Sequence, residues 1–318
     1  MKILKESLKK TPLYPLYKWL RRTDVGYHIL YHFWLRKTRV NRQGKIILPH
    51  ISYLITNGCN LKCEYCSNFN PYRKGIVPTE ELLSSFQSWS KKIVPNRMHI
   101  AGGEPFLHPA CEEIVLAARA AWPKTNINIL TNGVLLPRLK DAFLEKLCTS
   151  RIQVVVSKHL TNQKYMQDIN RSLARLAEFS VDFRVLEAGD MWIAPYKLDA
   201  DNVPRPAKSN PKKAWRECWS KYCTNIVGSH LFKCTLLSTA RQSVVEGSLG
   251  DDWKRVLSHE GISVNEPVES ILQYLRSRSV KECSVCPEKY EFVPARQIPK
   301  ETLLSALETI EGKKDAAV

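Results

Sequence analysis

From residue 51 to residue 186, short apolar runs alternate with longer stretches whose apolar residues recur at helical spacing. No other feature limits the possible folds as tightly. The runs 51–56, 98–101, 127–130, 152–156 and 181–186 read as strands. Thr79 reads as a helix N-cap, with Glu80 and Glu81 in the first turn, where negative charge suits the helix dipole. Leu82, Phe86, Trp89 and Ile93 then fall at helical spacing. Residues 111–122, 138–148 and 165–177 read as further helices, the last with Ile169, Leu173, Leu176 and Ala177 on one face. Repeated βα units make a parallel sheet covered by helices, an α/β fold. In parallel barrels the functional site sits at the C-terminal ends of the strands.

Directly after the first strand comes Cys59-Asn-Leu-Lys-Cys63-Glu-Tyr-Cys66. Three thiolates on one short loop can ligate three irons of a [4Fe–4S] cube and leave the fourth iron open to an exogenous ligand. Structural zinc is the alternative, but it takes four ligands, usually from two paired knuckles, and this loop holds three.

Three further stretches lie at predicted strand ends: Gly102-Gly103-Glu104-Pro105, Thr131-Asn132-Gly133 and Ser157. Together with the cysteine loop they resemble the radical S-adenosylmethionine (SAM) enzymes over roughly residues 50–190. The resemblance implies a partial (β/α)6 barrel. It also implies that the open iron chelates the amino and carboxylate groups of SAM, and that reductive cleavage yields a 5′-deoxyadenosyl radical. Gly102 and Gly103 would let backbone approach the SAM amino group. Glu104, followed by Pro105, would place that cation, and Tyr65 would lie near adenine. Asn132 and Ser157 suit ribose hydroxyls, and Arg184 suits the SAM carboxylate. The structural alternatives are a rim salt bridge for Glu104 and Arg184, and turn capping for Asn132 and Ser157.

A second cysteine group, Cys218, Cys223, Cys234, Cys283 and Cys286, lies in the C-terminal third. Four of these can hold zinc, as in a ribbon. Their separation also resembles the twitch (SPASM-like) auxiliary domain of some radical SAM enzymes, which implies a second [4Fe–4S] cluster on Cys218, Cys234, Cys283 and Cys286. A hairpin is expected between Cys223 and Cys234, turning at Gly228-Ser-His. Cys223 is surplus: a ligand in place of Cys218, a bystander or a hydrogen-atom donor. Cys111 and Cys148, on predicted helices, read as core thiols. The expected organisation is a basic aromatic arm over 1–48, a core over 49–207, the auxiliary domain over 208–292 and a C-terminal helix and tail over 293–318. The Pro-, Asn- and Lys-rich stretch 199–213 reads as a linker.

The net charge of the 318 residues is +17, and residues 1–48 hold twelve Lys and Arg against Glu6 and Asp24. Such an arm can pack on the core, lie on a membrane surface or meet an acidic partner, with nucleic acid less favoured. No apolar run of membrane-spanning length occurs, and residues 1–7 lack an apolar signal core. The cysteines therefore read as thiols of a reducing cytoplasm, with the protein soluble there or peripheral at the membrane.

The expected activity is a two-electron oxidation of a small polar substrate, sugar- or cyclitol-like, phosphorylated or carried on a lipid or nucleotide. Lys158, His159, Arg184 and Glu187 are the candidates to take the hydroxyl proton. The resemblance implies a flavodoxin- or ferredoxin-type electron donor. The alternatives are an epimerase quenching its radical with Cys223, a peptide maturase, and a metal-stabilised protein that binds nucleic acid or a membrane surface.

Overall fold

A computed structural model describes residues 38–187, 191–220 and 223–315. Most of the basic arm therefore lies outside the described residues. The helical and extended segments alternate as the sequence spacing requires. Strands β1 (Ile51–Thr56), β2 (Arg97–Gly102), β3 (Asn126–Thr131), β4 (Gln153–Lys158) and β5 (Phe183–Glu187) pair in that order, every pair parallel. Helices α1 (Thr79–Ser90), α2 (Cys111–Ala121), α3 (Asp141–Thr149) and α4 (Gln163–Glu178) make the crossovers. This is an α/β fold built on a parallel sheet.

Strand alternation sorts the side chains. Ile51, Tyr53, Ile55, Met98, Ile100, Ile127, Ile129, Val154 and Val156 join Phe86, Trp89, Ile114, Leu147 and Ile169 of the helices in one buried core. The intervening positions, among them Thr56, His99, Asn128, Ser157 and Arg184, have the opposite parity and face away from that core.

Two helix starts differ from expectation. Pro78 occupies the N-cap of α1, so Thr79 is the first helical residue and makes no cap, while Glu80 and Glu81 do fall in the first turn. The third helix begins at Asp141 and not 138, because a separate 3-10 turn, Leu136–Arg138, absorbs Pro137.

Past β5, strand β6 is Met191–Ala194. The expected linker is partly structured: Lys197–Leu198 pairs with Pro204–Arg205, and Arg205 reaches Asp199 at 2.7 Å and Asp252 at 3.3 Å. Helix α5 (Pro211–Glu217) starts inside it, with Asn210 Oδ1 accepting from Lys212 N and Lys213 N. The expected hairpin is present as β7 (Asn225–Val227) and β8 (His230–Phe232), with Gly228 at φ 54° in the turn. It joins the main sheet: β7 pairs parallel with β1, Asn225 opposite Ser52, and β8 is flanked by β9 (Ile262–Ser263). The sheet thus runs β9-β8-β7-β1-β2-β3-β4-β5.

Helices α6 (Thr235–Val245), α7 (Val268–Arg276) and α8 (Lys300–Asp315) follow, with β10 (Glu291–Pro294) pairing antiparallel to β6 before α8. A second core cluster joins Phe69 and Tyr72 of the cysteine loop to Tyr196, Trp253, Leu237, Val285, Ile298 and Ala306. Among the described residues, no helix is long and apolar enough to cross a membrane.

Candidate functional site

The cysteine loop leaves β1 at Thr56 and is tied down at both ends. Asn57 N and Gly58 N both donate to Gly75 O, at 3.0 and 3.1 Å. Tyr65 and Phe69 take positive φ, 54° and 56°, a conformation uncommon outside glycine. Cys59 and Cys63 each lie near enough to Cys66 to feel its charge. Burial, with a smaller contribution from the Cys66 sulfur, pushes the Cys59 thiol up to about 11 and Cys63 up to about 12. Three such thiols give up their protons together only to a cation, and metal binding supplies one. The donor set fits an iron–sulfur cluster. Among the described residues no three His, Cys, Asp or Glu side chains gather as a single-ion site would. The thiols of a cube each take a different iron.

The polar groups around the sulfurs are ordered. Leu61 N donates to Cys59 Sγ at 3.4 Å, Asn132 Nδ2 approaches the same sulfur at 3.6 Å, and Cys66 Sγ donates to Asn70 Oδ1 at 3.3 Å. Gln297 Nε2 donates to Cys63 Sγ at 3.2 Å. Tyr65 lies tilted against Tyr196, ring centroids 5.8 Å apart.

The Gly102-Gly103 pair has a packing cause. A Cβ at Gly103 would stand 1.8 Å from Gly58 O, and one at Gly102 would stand 2.5 Å from Thr56 O. Bare backbone here lets the loop after β2 lie directly on the loop after β1, where Gly103 N donates to Thr56 O and Glu104 N to Gly58 O.

Glu104 is fully buried, and Pro105 opens a short 3-10 turn behind it. The Glu104 carboxylate accepts from Thr131 Oγ1 at 2.8 Å, Asn132 N at 2.9 Å and Phe106 N at 3.3 Å. Burial pushes its pKa up to about 7, against the pull of those three donors. This carboxylate fastens the two motif loops together. Asn132 is likewise engaged: Nδ2 donates to Asn60 Oδ1 at 2.8 Å, and Oδ1 accepts from Val134 N at 3.0 Å.

Ser157, one residue before the end of β4, stands opposite Leu186, and Arg184 on β5 stands opposite Val155, both on the parity that faces away from the main core. Lys158 has the other parity, and Glu187 ends β5. His159 follows at the β4 end; its Nδ1 is buried without a hydrogen-bond partner, and burial lowers its pKa, which keeps the imidazole neutral. Its ring meets Trp192 edge-on at 5.6 Å, and Trp192 Nε1 is also buried and unpartnered.

Cys218, Cys234, Cys283 and Cys286 line one cavity, together with Trp215, Lys233, Leu237 and Arg278. Cys223 does not line it; burial raises its thiol pKa against a hydrogen bond with Ser220. Burial raises Cys234 and Cys286, and the neighbouring sulfurs add to both. Burial lowers Lys233 to about 8 while Cys283 and Cys234 oppose it. Its ammonium donates to Ser277 Oγ at 2.7 Å and Arg278 O at 2.6 Å. Cys111 is buried in the main core and Cys148 packs against it.

Sequence reasoning missed Gln297, Trp192, Tyr196 and Lys233. None carries a local motif: Gln297 and Tyr196 reach the first cysteine loop only through the tertiary fold, Trp192 meets His159, and Lys233 stands next to Cys234 in sequence.

Known proteins share parts of this arrangement. The GTP 3′,8-cyclase of Chlorobaculum tepidum is 32% identical over 109 residues, covering 33% of this chain and 32% of that protein. The GTP 3′,8-cyclase of Aquifex aeolicus is 30% identical over 146 residues, covering 42% and 43%. The chain thus spans less than half the length of these curated relatives. A crystal structure of BtrN in complex with AdoMet and 2-DOIA aligns with a TM-score of 0.39 and 16% identity, covering 76% of this chain and 92% of that one. At that score the likeness carries no functional weight. Residues 53–173, the segment that holds the three-cysteine loop and both glycine motifs, match the Radical SAM superfamily.

Proposed function

We propose that the chain is a radical SAM enzyme that removes two hydrogens from a small polar substrate, sugar- or cyclitol-like, with the help of a second [4Fe–4S] cluster. The parallel strands are then the wall of a partial (β/α)6 barrel. The observation that carries this reading is the convergence of Cys218, Cys234, Cys283 and Cys286 on one cavity. Four thiolates saturate the four irons of a cube, which suits an electron carrier and leaves no iron for a substrate. The three thiols of the first loop leave one iron for SAM.

When bound, the first cluster with SAM would supply hydrogen-atom abstraction, and the second cluster would supply a one-electron sink. The chain's own residues do the rest. Cys59, Cys63 and Cys66 hold the first cluster, and Cys218, Cys234, Cys283 and Cys286 hold the second. The joined loops of Gly103, Glu104 and Asn132 fix the position of SAM, with Ser157 toward its ribose and Arg184 toward its carboxylate. His159 takes the hydroxyl proton: it is neutral, and its Nδ1 has no partner to give up. A flavodoxin- or ferredoxin-type donor and an anionic contact through the basic arm complete the proposal.

Anaerobic reconstitution tests it. The loaded chain should carry about eight irons and, with a reductant, form 5′-deoxyadenosine from SAM. No SAM cleavage by a chain with full iron would refute the enzyme reading. The relatives support a second reading, in which the substrate is a nucleoside triphosphate. Conversion of GTP, and not of cyclitols or sugars, would establish it.

A further inference from the structure

We propose that Gln297 is a positioning residue for the cluster on Cys59, Cys63 and Cys66, donating a hydrogen bond to the Cys63 sulfur and thereby raising the cluster's reduction potential. This rests on the reading that those three cysteines hold a cluster.

The geometry is specific. Residues 296–298 lie antiparallel against the cysteine loop, with Cys63 and Gln297 as bridge partners. Glu64 N donates to Arg296 O at 3.0 Å and Ile298 N to Lys62 O at 2.7 Å. Between these bonds the Gln297 side chain turns onto the loop. Its Oε1 accepts from Lys62 N at 2.7 Å, and its Nε2 donates to Cys63 Sγ at 3.2 Å. The backbone N–H of Lys62 can only donate, so it fixes which end of the amide is oxygen. The NH2 end must then face the sulfur.

The strap is also anchored. Ile298 is buried in the second core cluster, and Leu303, Ala306 and Ile310 of α8 continue the same contact. A donor held this firmly acts on the electronics of its acceptor. Reduction adds negative charge to the cluster, and part of that charge resides on the thiolates. A hydrogen bond to a thiolate strengthens as the charge grows, so it favours the reduced state. Such outer partners tune metal sites as well as orient them. The tail of the chain thereby sets how easily a cluster more than two hundred residues upstream accepts its electron.

The test compares Gln297→Leu and Gln297→Glu with the wild-type holoprotein, loaded anaerobically. Potentiometric titration followed by electron paramagnetic resonance gives the midpoint, and the signal is assigned by its change when SAM is added. Gln297→Leu removes the donor. Gln297→Glu keeps an acceptor for Lys62 N and places an anionic oxygen on the sulfur. Both midpoints should move to more negative potential, the Glu variant further, with iron content unchanged. The Leu variant should show about a tenfold lower ratio of reduced to oxidised cluster at a fixed potential, equivalent to about 59 mV for one electron. Unchanged midpoints in both variants would overturn the proposal. Loss of iron in both would also overturn it, in favour of a purely structural strap. A wild-type protein with no SAM-sensitive signal would instead refute the underlying cluster reading.

Discussion

The Glu104 carboxylate and the Thr131 hydroxyl meet at 2.8 Å inside the protein. With the Asn132 N–H on the other carboxylate oxygen at 2.9 Å, this contact makes the loop after β2 and the loop after β3 one unit.

That unit has a pH signature. Burial lifts the Glu104 pKa from 4.5 to about 7, so the folded state holds a proton that the unfolded chain releases earlier. Its contribution to stability is full below pH 4.5 and falls as the pH rises through 7. The size of the change is on the order of 3 kcal/mol. In Glu104→Gln this slope should vanish. Denaturant unfolding of both proteins between pH 5 and 8 measures it; parallel pH profiles would refute the assignment.

Gly103→Ala should abolish the site. The added methyl would meet backbone atoms of Gly58 at 1.8 and 2.3 Å, and neither can swing aside. Iron content after reconstitution should fall sharply and SAM cleavage should stop. Gly44→Ala is the control: it has positive φ but nothing within 4 Å of the added Cβ, so it should cost only about 1–2 kcal/mol and leave iron content intact.

Cys218 and Cys223 should separate cleanly. Cys218→Ala removes a thiol from the shared cavity and should cost about half of the bound iron while leaving SAM cleavage in place. Cys223→Ala should leave the iron unchanged, because that sulfur does not line the cavity. The reverse pattern would make Cys223 the ligand. Full iron with lost turnover in Cys223→Ala would favour hydrogen-atom donation.

His159→Ala should uncouple the reaction. SAM should still be cleaved, and formation of oxidised product should fall by about 10²–10⁴-fold, the usual worth of a positioned base. Measuring 5′-deoxyadenosine against product shows the split. Equal loss of both would assign His159 to the first site instead.

Local spacing made the first site legible. The five strands, the three cysteines and the glycine loops all announce themselves within a few residues of sequence. The direction of Glu104 was not legible, because Thr131 and Asn132 draw its carboxylate inward from another loop. The α1 cap was misread for a nearer reason: Pro78 already supplies the extended backbone that a cap requires. The hairpin was visible as a turn at Gly228, but its parallel pairing with β1 had no local trace. Gln297 was out of reach altogether, 234 residues from the sulfur it serves.

Helix α6 acts as a ruler. It starts directly after Cys234, whose sulfur accepts from Leu237 N, and it ends beside Glu246, which grips Arg73 and Asn57 next to the first cysteine loop. Its eleven residues span about 16 Å. The count of residues in this one helix therefore sets the spacing between Cys234 and the Glu246–Arg73 pair. One inserted turn would lengthen that gap by about 5.4 Å and pull Cys234 away from the loop that Arg73 and Asn57 anchor.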